Sequence, residues 1–341
     1  MVANIHGSMV YSFEKPMWHN IVEPSLVPET AESILTNRFG GGHSISLRPV
    51  TVKLNDKDTE TGDFAIVRSK TMYEDSERVF GYCTERFHPL QPIEIARSFD
   101  ANVKEFAETM AFLGHGEDMF ISWKMPSFDV KVGGSEDSVE MYGIVRSGFD
   151  TLNGTRLFTS IYRPVCSNTI TLAEGWARQH SDGRGKGAIW QGKGVNKNLL
   201  RDLGYWMAHV QGNALREAST LQSLFGRLAS IPIVHDSQAK DILKEAYPDT
   251  RNVSEYYPKE LRDDKAQSVN EFNEKQEEIR NGIFELFGGA GTAITPNYWG
   301  MLNATSEYFC HIQPSKRPIA ESVMFGGRAK NILQMVKVLS K

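Results

Sequence analysis

The sequence predicts an α+β fold, in which a mostly antiparallel β-sheet with one packed helix precedes a mainly helical C-terminal half. Residues 43–163 contain short runs rich in β-branched residues, separated by turn signals. After residue 165 the apolar residues recur instead at helical spacing. The predicted organisation is a β-rich domain over residues 1–165 and a mainly helical region over residues 166–341.

Six strands are predicted in the first domain. His43–Leu54 partly alternates between apolar and polar residues, as a half-buried strand does. Asn153-Gly154 favours a tight hairpin between the last two strands, because both residues tolerate the positive φ of a type I′ turn. The other five predicted strands are Asp63–Arg68, Arg78–Cys83, Met119–Met125, Val139–Val145 and Arg156–Tyr162.

One helix is predicted within the β-rich domain. Pro92 suits its first turn, and the apolar residues that follow are spaced three or four apart, which predicts a stripe packed on the sheet. The predicted stripe comprises Ile95, Phe99, Val103, Phe106 and Met110.

Helical periodicity dominates the rest of the chain. Ser167 and Asn168 are candidate N-caps for a helix over Thr169–Gln179, and Ser268 with Glu271 forms a capping-box pattern before another helix. The remaining predicted helices are Leu199–Leu228, a short one at Trp299–Tyr308 and a last one at Ala329–Leu339.

Composition limits the classes of function. The 341 residues include 38 Lys+Arg and 42 Asp+Glu, so the net charge of −4 excludes a surface that coats duplex DNA by bulk attraction. The apolar runs are far shorter than the ~20 residues that span a bilayer, and the N-terminus does not resemble a signal peptide. Three scattered cysteines without a CxxC pair suggest a reducing cytoplasm and no cysteine-based zinc site.

The near-neutral total charge conceals an uneven distribution. Residues 178–201, called the basic segment below, contain six basic residues and one acid. Residues 236–285 contain 13 acids and 8 bases, and residues 286–341 contain 6 bases and 2 acids. A local cationic surface is therefore compatible with the overall charge.

The basic segment contains the most informative motif. Ser181–Asn198 combines five glycines and four basic residues with Trp190. Glycines allow close backbone approach, cations neutralise phosphates and an indole offers a stacking face, as in sequence-tolerant single-strand binding. Another anionic ligand, or a solvated surface loop with Trp190 in the core, remains an alternative. The motif matches neither the P-loop nor the dinucleotide fingerprint.

Two weaker patterns concern phosphate and metal chemistry. Arg163, just before the helix predicted at Thr169, could help its N-terminus to bind a phosphate, although a capped helix with a surface arginine is the favoured explanation of the pattern. Asn303, Glu307 and His311 would share one helix face, and the last two could ligate a metal. Because no third ligand is evident, buried polar packing remains the alternative.

Several stretches together resemble the phage/plasmid-like protein family that is described as a domain of unknown function. The resemblance implies a mobile-element protein in a bacterial cytoplasm, and its strand–helix architecture is similar to that of phage annealing proteins. The matching stretches are Pro16–His19, Gly81–Gln91, Arg163–Thr169, Tyr298–Tyr308 and Phe325–Lys330.

The leading hypothesis is therefore a phage or plasmid single-stranded DNA-binding protein of the recombination and annealing type. It acts as a homo-oligomer, a ring or filament, without a membrane, a cofactor or a catalytic residue. The alternatives are an enzyme for a nucleotide or phosphorylated ligand at Asn303, Glu307 and His311, and a protein-binding counter-defence or regulatory factor. The predicted nucleic-acid-binding residues are Arg163, Arg178, Arg184, Lys186, Trp190, Lys193, Lys197 and Arg201.

Overall fold

The computed structural model confirms the α+β class, with antiparallel sheets in the N-terminal half and helices dominating the C-terminal half. It divides into two compact units, each assembled from separate stretches of chain: unit 1 (Met1–Ser127, Glu140–Tyr162, Leu172–Ala218) and unit 2 (Phe128–Val139, Arg163–Thr171, Ser219–Lys341). The domain boundary predicted after residue 165 stays a prediction. The structure describes residues 3–5, 8–13, 25–72, 74–132, 135–151, 154–163, 168–170, 190–192, 197–250, 259–288, 295–313 and 327–341.

The larger sheet follows the order β1-β2-β6-β7-β8-β9-β10, and β11 also pairs with β9. Gly143 of β8 lets Trp123 of β7 lie against the backbone, since a Cβ there would approach the indole to 2.1 Å. The strands are β1 (Ala3–Ile5), β2 (Ser8–Ser12), β6 (Ala107–Leu113), β7 (Asp118–Val132), β8 (Ser135–Gly148), β9 (Thr155–Arg163), β10 (Asn168–Ile170) and β11 (Trp190–Gly192).

A smaller antiparallel sheet has the order β3-β4-β5, formed by Ile45–Leu54, Lys57–Arg68 and Arg78–Thr84. Asn55 and Asp56, with φ of 50° and 60°, form the turn between β3 and β4. Both residue types tolerate this left-handed conformation, so they fit a type I′ hairpin. The structure thus confirms the strands predicted here and extends the second one towards its N-terminus.

Helix α2 (Pro92–Asn102) confirms the predicted start but not the predicted length. The Glu94 carboxylate accepts a hydrogen bond from the Gln91 backbone N–H at 2.9 Å, which stabilises the first turn. Val103 is already extended and Met110 lies on β6, so the stripe from Ile95 to Met110 is wrong beyond Val103. A buried strand, with apolar residues on both faces, follows the helix and imitates a continuation of its spacing.

The remaining helices are mostly where the periodicity predicts them. The helix predicted at Thr169–Gln179 is wrong at its start, since residues 168–170 form β10. The helix predicted after Ser268 begins nine residues earlier, so Ser268 is not an N-cap. The elements are α1 (Ala31–Ser33) with a π-helical turn (Ile34–Arg38), α3 (Leu199–Ser230), α4 (Asp236–Ala246), α5 (Lys259–Gly288), α6 (Tyr298–Glu307) with a π-helical turn (Tyr308–Ile312), and α7 (Gly327–Leu339).

Trp299 organises the core of unit 2. Its indole N–H donates to the Asp137 carboxylate at 2.8 Å, and its ring lies 4.8 Å from that of Phe225. Asn297 caps α6 by accepting from the Gly300 N–H and also donates to the carbonyl of Ala229. Trp299 and Gly300, within the stretch Tyr298–Tyr308, are therefore part of the hydrophobic core.

No helix in the described part of the chain is long and apolar enough to cross a bilayer.

Candidate nucleic-acid interface

The structure describes Arg163 and part of the C-terminal half of the basic segment. Trp190 lies on β11 and Arg163 ends β9, and only their backbones are described. The side chains of Lys197 and Arg201 are exposed at the start of α3. Arg178, Arg184, Lys186 and Lys193 lie outside the described residues.

Strand β11 fixes the path by which the basic segment reaches α3. It pairs antiparallel with the start of β9, with Trp190 opposite Leu157 and Gly192 opposite Thr155. Lys197 follows only five residues later and precedes the first helical residue, Leu199. In sequence, Lys197 therefore lies between a paired strand and a helix.

Helix α3 carries an exposed stripe that sequence reasoning missed. Arg201, Tyr205, His209 and Asn213 are spaced four apart and so share one helix face. Tyr205 is 65% exposed, and its ring stacks on that of His209 with centroids 6.3 Å apart and planes at 18°. We call these four residues the exposed stripe.

The opposite face of α3 holds the exposed stripe rigidly within unit 1. Leu203, Met207 and Val210 are buried on that face. Gln211 accepts a hydrogen bond from the indole N–H of Trp123 at 2.7 Å. The apolar periodicity of α3 was recognised in the sequence, but the aromatic and basic residues between the apolar positions were not. Their signal was the repeated spacing of four from Arg201.

A groove of about 520 Å³ lies between α2 and the first turns of α3. Gly204 permits this close approach, since a Cβ at that position would lie 2.8 Å from the Asn102 amide nitrogen. The groove is continuous with the exposed stripe, because Arg201 and Tyr205 belong to both. Its lining comprises Glu94, Arg97, Ser98, Asn102, Leu200, Arg201, Gly204 and Tyr205.

The described charges around the groove comprise two arginines, their two carboxylate partners and Glu94, so they include no positive excess. Arg97 pairs with Glu32 at 2.8 Å, and Arg201 lies 3.5 Å from Asp202. The arginine side chains of both pairs are more than 60% exposed, so each pair contributes little and can exchange for a phosphate contact. Any positive excess at the groove must come from the basic segment that leads to it.

The residues of the alternative site, Asn303, Glu307 and His311, differ in burial along α6 and the π-helical turn that follows it, and Glu307 is half-buried. Asn303 is buried in α6 and donates to the Trp299 carbonyl at 2.9 Å, which is a packing role. His311 is exposed in the π-helical turn beyond the end of α6. No group of three His, Cys, Asp or Glu side chains suited to a metal occurs among the residues that the structure describes.

The phosphate site predicted near Arg163 lacks the helix start on which the prediction depended. Residues 168–170 extend the sheet as β10, so no helix begins at Thr169 to present its free N–H groups.

Comparison with known proteins adds a partial match. Residues 79–194 match the family model of a domain of unknown function, DUF932. The DUF932 region begins on β5 and ends just after β11, so it includes most of the basic segment. The exposed stripe on α3 lies beyond it. No curated protein and no solved structure matches the chain significantly.

Proposed function

We propose that this chain is a phage- or plasmid-encoded single-stranded DNA-binding protein of the annealing type, acting as a homo-oligomer in a bacterial cytoplasm. The observation that carries the proposal is the exposed stripe, with Tyr205 stacked on His209 beside Arg201, directly after the basic segment. Cations and accessible rings on a rigid support are what sequence-tolerant single-strand binding requires.

Stacking supplies the part of the affinity that does not depend on salt. Each base stacked on an aromatic ring contributes roughly 1–3 kcal/mol, whatever its identity. Tyr205 is exposed on a helix whose other face is buried, so a base meets a ring that is already ordered. The entropy lost on binding is correspondingly small.

Charge supplies the salt-dependent part of the affinity. The basic segment carries six basic residues and one acid, whereas the described charges of the groove include no positive excess. Repeating the segment around a ring or along a filament would produce a continuous cationic path for the strand. Two strands held extended in this way can pair without a covalent step, a metal or a nucleotide.

Replacing Tyr205 with serine is expected to weaken oligonucleotide binding about 5- to 150-fold, because one stacked base is lost. Arg201→Gln should instead lower the slope of log K against log[salt] by about 0.7, which corresponds to one phosphate contact on a single strand. Fluorescence anisotropy of a labelled homopolymer at several salt concentrations measures both quantities.

Phe272→Ser is the control for Tyr205→Ser, since it removes another exposed aromatic ring, on α5. It should leave binding unchanged. If Tyr205→Ser bound as tightly as wild type, the exposed stripe would not be the interface.

The triple variant Lys186→Ala, Lys193→Ala and Lys197→Ala tests the basic segment. We expect weaker binding at every salt concentration and a flatter salt dependence, because up to three phosphate contacts are lost. The variant Lys240→Ala, Lys244→Ala and Lys275→Ala removes the same charge from the acidic region and serves as the control. Equal affinities of the two triple variants, measured by anisotropy, would contradict the assignment to this segment.

A further inference from the structure

The small β3-β4-β5 sheet has an apolar face that the described structure leaves exposed. Val52 and Leu54 of β3 are 42% and 56% exposed, and Val79 and Tyr82 of β5 are 52% and 64% exposed. Large exposed apolar side chains that occur singly need no explanation, but a group on one surface indicates an interaction site.

The strand register places these four residues on the same face. Val52 pairs with Thr59 and Leu54 with Lys57, while Tyr82 pairs with Ala65 and Val79 with Val67. The β4 partners are all odd-numbered, and alternate residues of a strand point to one side. We call the side that carries these residues the outer face.

The chemistry of the β3–β4 hairpin disfavours nucleic acid as the occupant. Every residue from Thr51 to Asp63 is exposed, and this stretch contains four acids (Asp56, Asp58, Glu60, Asp63) and two bases (Lys53, Lys57). An acidic surface repels phosphates, so the occupant is a protein.

The free edge of β3 is an unsuitable docking point. Pro49 lies within β3, and the ladder is irregular between Pro49 and Thr51. A proline on an edge strand disfavours the addition of another strand there. The outer face, rather than the edge of β3, is therefore considered as the contact surface.

The charges of the outer face are self-complementary. Lys57 and Asp63 lie on this face at opposite ends of the exposed part of β4, with Thr59 and Thr61 between them. If a second copy packs antiparallel about a two-fold axis near residue 60, Lys57 of each copy faces Asp63 of the other. The same arrangement places β3 of each copy against β3 of the other, with Val52 close to the axis.

The size of the outer face suits a weak dimer. Residues 57–63 of β4 are exposed, whereas its last three residues are buried; at ~3.3 Å per residue and ~4.8 Å between strands, three strands of this exposed length present roughly 300 Å² per copy. Specific stable interfaces bury about 800 Å² per partner, and weaker ones less. The expected dimer therefore forms reversibly as the protein concentration rises.

We propose that the outer face of the β3-β4-β5 sheet is a two-fold dimer interface between copies of this chain, held by apolar packing and by reciprocal Lys57–Asp63 ion pairs. The inference is independent of DNA binding. An interface of this symmetry closes on itself, so a ring or filament would need an additional, different contact.

Sedimentation velocity of the full chain without DNA tests the dimer, over roughly 1–200 µM protein. Wild type should show a concentration-dependent shift from monomer to dimer. The double variant V52T/L54N should raise the dissociation constant at least 10-fold. Because both positions are exposed, folding should be unaffected, as circular dichroism would show. A wild-type chain that stays monomeric throughout would overturn the proposal.

Charge reversal tests the arrangement. K57E and D63K should each fail to dimerise alone, since like charges then meet across the interface. Mixed together, the two variants should associate, because every cross-interface pair has opposite signs. The reversal K53E, on the other face of the hairpin, serves as the control and should dimerise as wild type does. Failure of the mixture to associate would overturn the two-fold arrangement.

These results are separable from those on the proposed function. A monomer that binds oligonucleotides normally overturns the dimer interface alone. A dimer of wild-type strength that ignores oligonucleotides supports the interface and contradicts the DNA-binding proposal.

Discussion

In a chain carrying His43→Leu, the free energy of unfolding is expected to fall much less between pH 6.5 and about 4 than it does in wild type. His43 is buried, and its ring contacts those of Phe112 and Phe149 at centroid distances of 4.7 and 5.6 Å. Neither ring nitrogen has a hydrogen-bond partner among the described residues. Burial above all, and secondarily the Arg68 cation, lowers the pKa of His43 to about 3.

The direction of the pH effect follows from the two states of His43. In the unfolded chain an ordinary histidine takes up a proton below a pKa of about 6.5, whereas the folded chain resists protonation until about pH 3. The free energy of unfolding contributed by this group is therefore complete above pH 6.5 and falls as the pH is lowered. The loss is about 1.4 kcal/mol per pH unit, or about 2 kcal/mol at pH 5.

Urea denaturation at pH 8 and pH 5 measures the change. The difference in unfolding free energy between the two pH values should be about 2 kcal/mol smaller for His43→Leu than for wild type. His235→Gln, which alters an exposed histidine, serves as the control and should retain the wild-type difference. An identical pH dependence in His43→Leu and wild type would show that the buried ring is not responsible.

Replacing Asp118 with asparagine is expected to destabilise the chain by about 3–5 kcal/mol. Asp118 of β7 and Arg146 of β8 form a buried two-point ion pair, at 2.6 Å (Nη2–Oδ2) and 3.2 Å (Nε–Oδ1). Both side chains are more than 90% buried. Without the carboxylate, the Arg146 guanidinium would remain in the interior as a charge lacking its counterion.

A second pair on the same two strands provides the control. Lys124 of β7 and Glu140 of β8 are joined at 3.1 Å, but the Lys124 side chain is half exposed. Lys124→Met should cost less than about 1 kcal/mol. The double variant Asp118→Leu with Arg146→Met should be more stable than Asp118→Asn, because neither member of the pair is left buried without the other. Equal losses for Asp118→Asn and Lys124→Met in urea titrations would refute the role of burial.

Sequence patterns predict the elements here wherever one periodicity runs uninterrupted. The apolar stripe of α3, from Leu203 to Leu228, is confirmed because a long amphipathic helix leaves a repeated signal. The same reasoning fails at Met110, where a strand buried on both faces resembles a helix. It fails again at Ser268, because a capping pattern within a helix looks the same as one at its start.

The candidate site was predictable only in part. The basic segment is evident because glycine and charge are concentrated in consecutive residues. Tyr205 and His209, by contrast, become informative only when the helix face opposite Leu203 and Met207 is known to be exposed. The burial of Asn303 could not be foreseen either, since a polar residue spaced for a site is equally spaced for a helix core. Contacts with residues that are distant in the sequence decide whether such a polar residue is buried or forms a site.

The bond between Trp299 and Asp137 also has a consequence for biosynthesis. These residues are 162 positions apart in the chain. At the usual 5–20 residues per second, a ribosome needs about 8–30 seconds to reach Trp299 after Asp137 has been made. Throughout that interval Asp137 lacks the indole that donates to its carboxylate in the folded chain. The core of unit 2 around Trp299 can therefore close only late in synthesis, after the strands of the N-terminal half have been made.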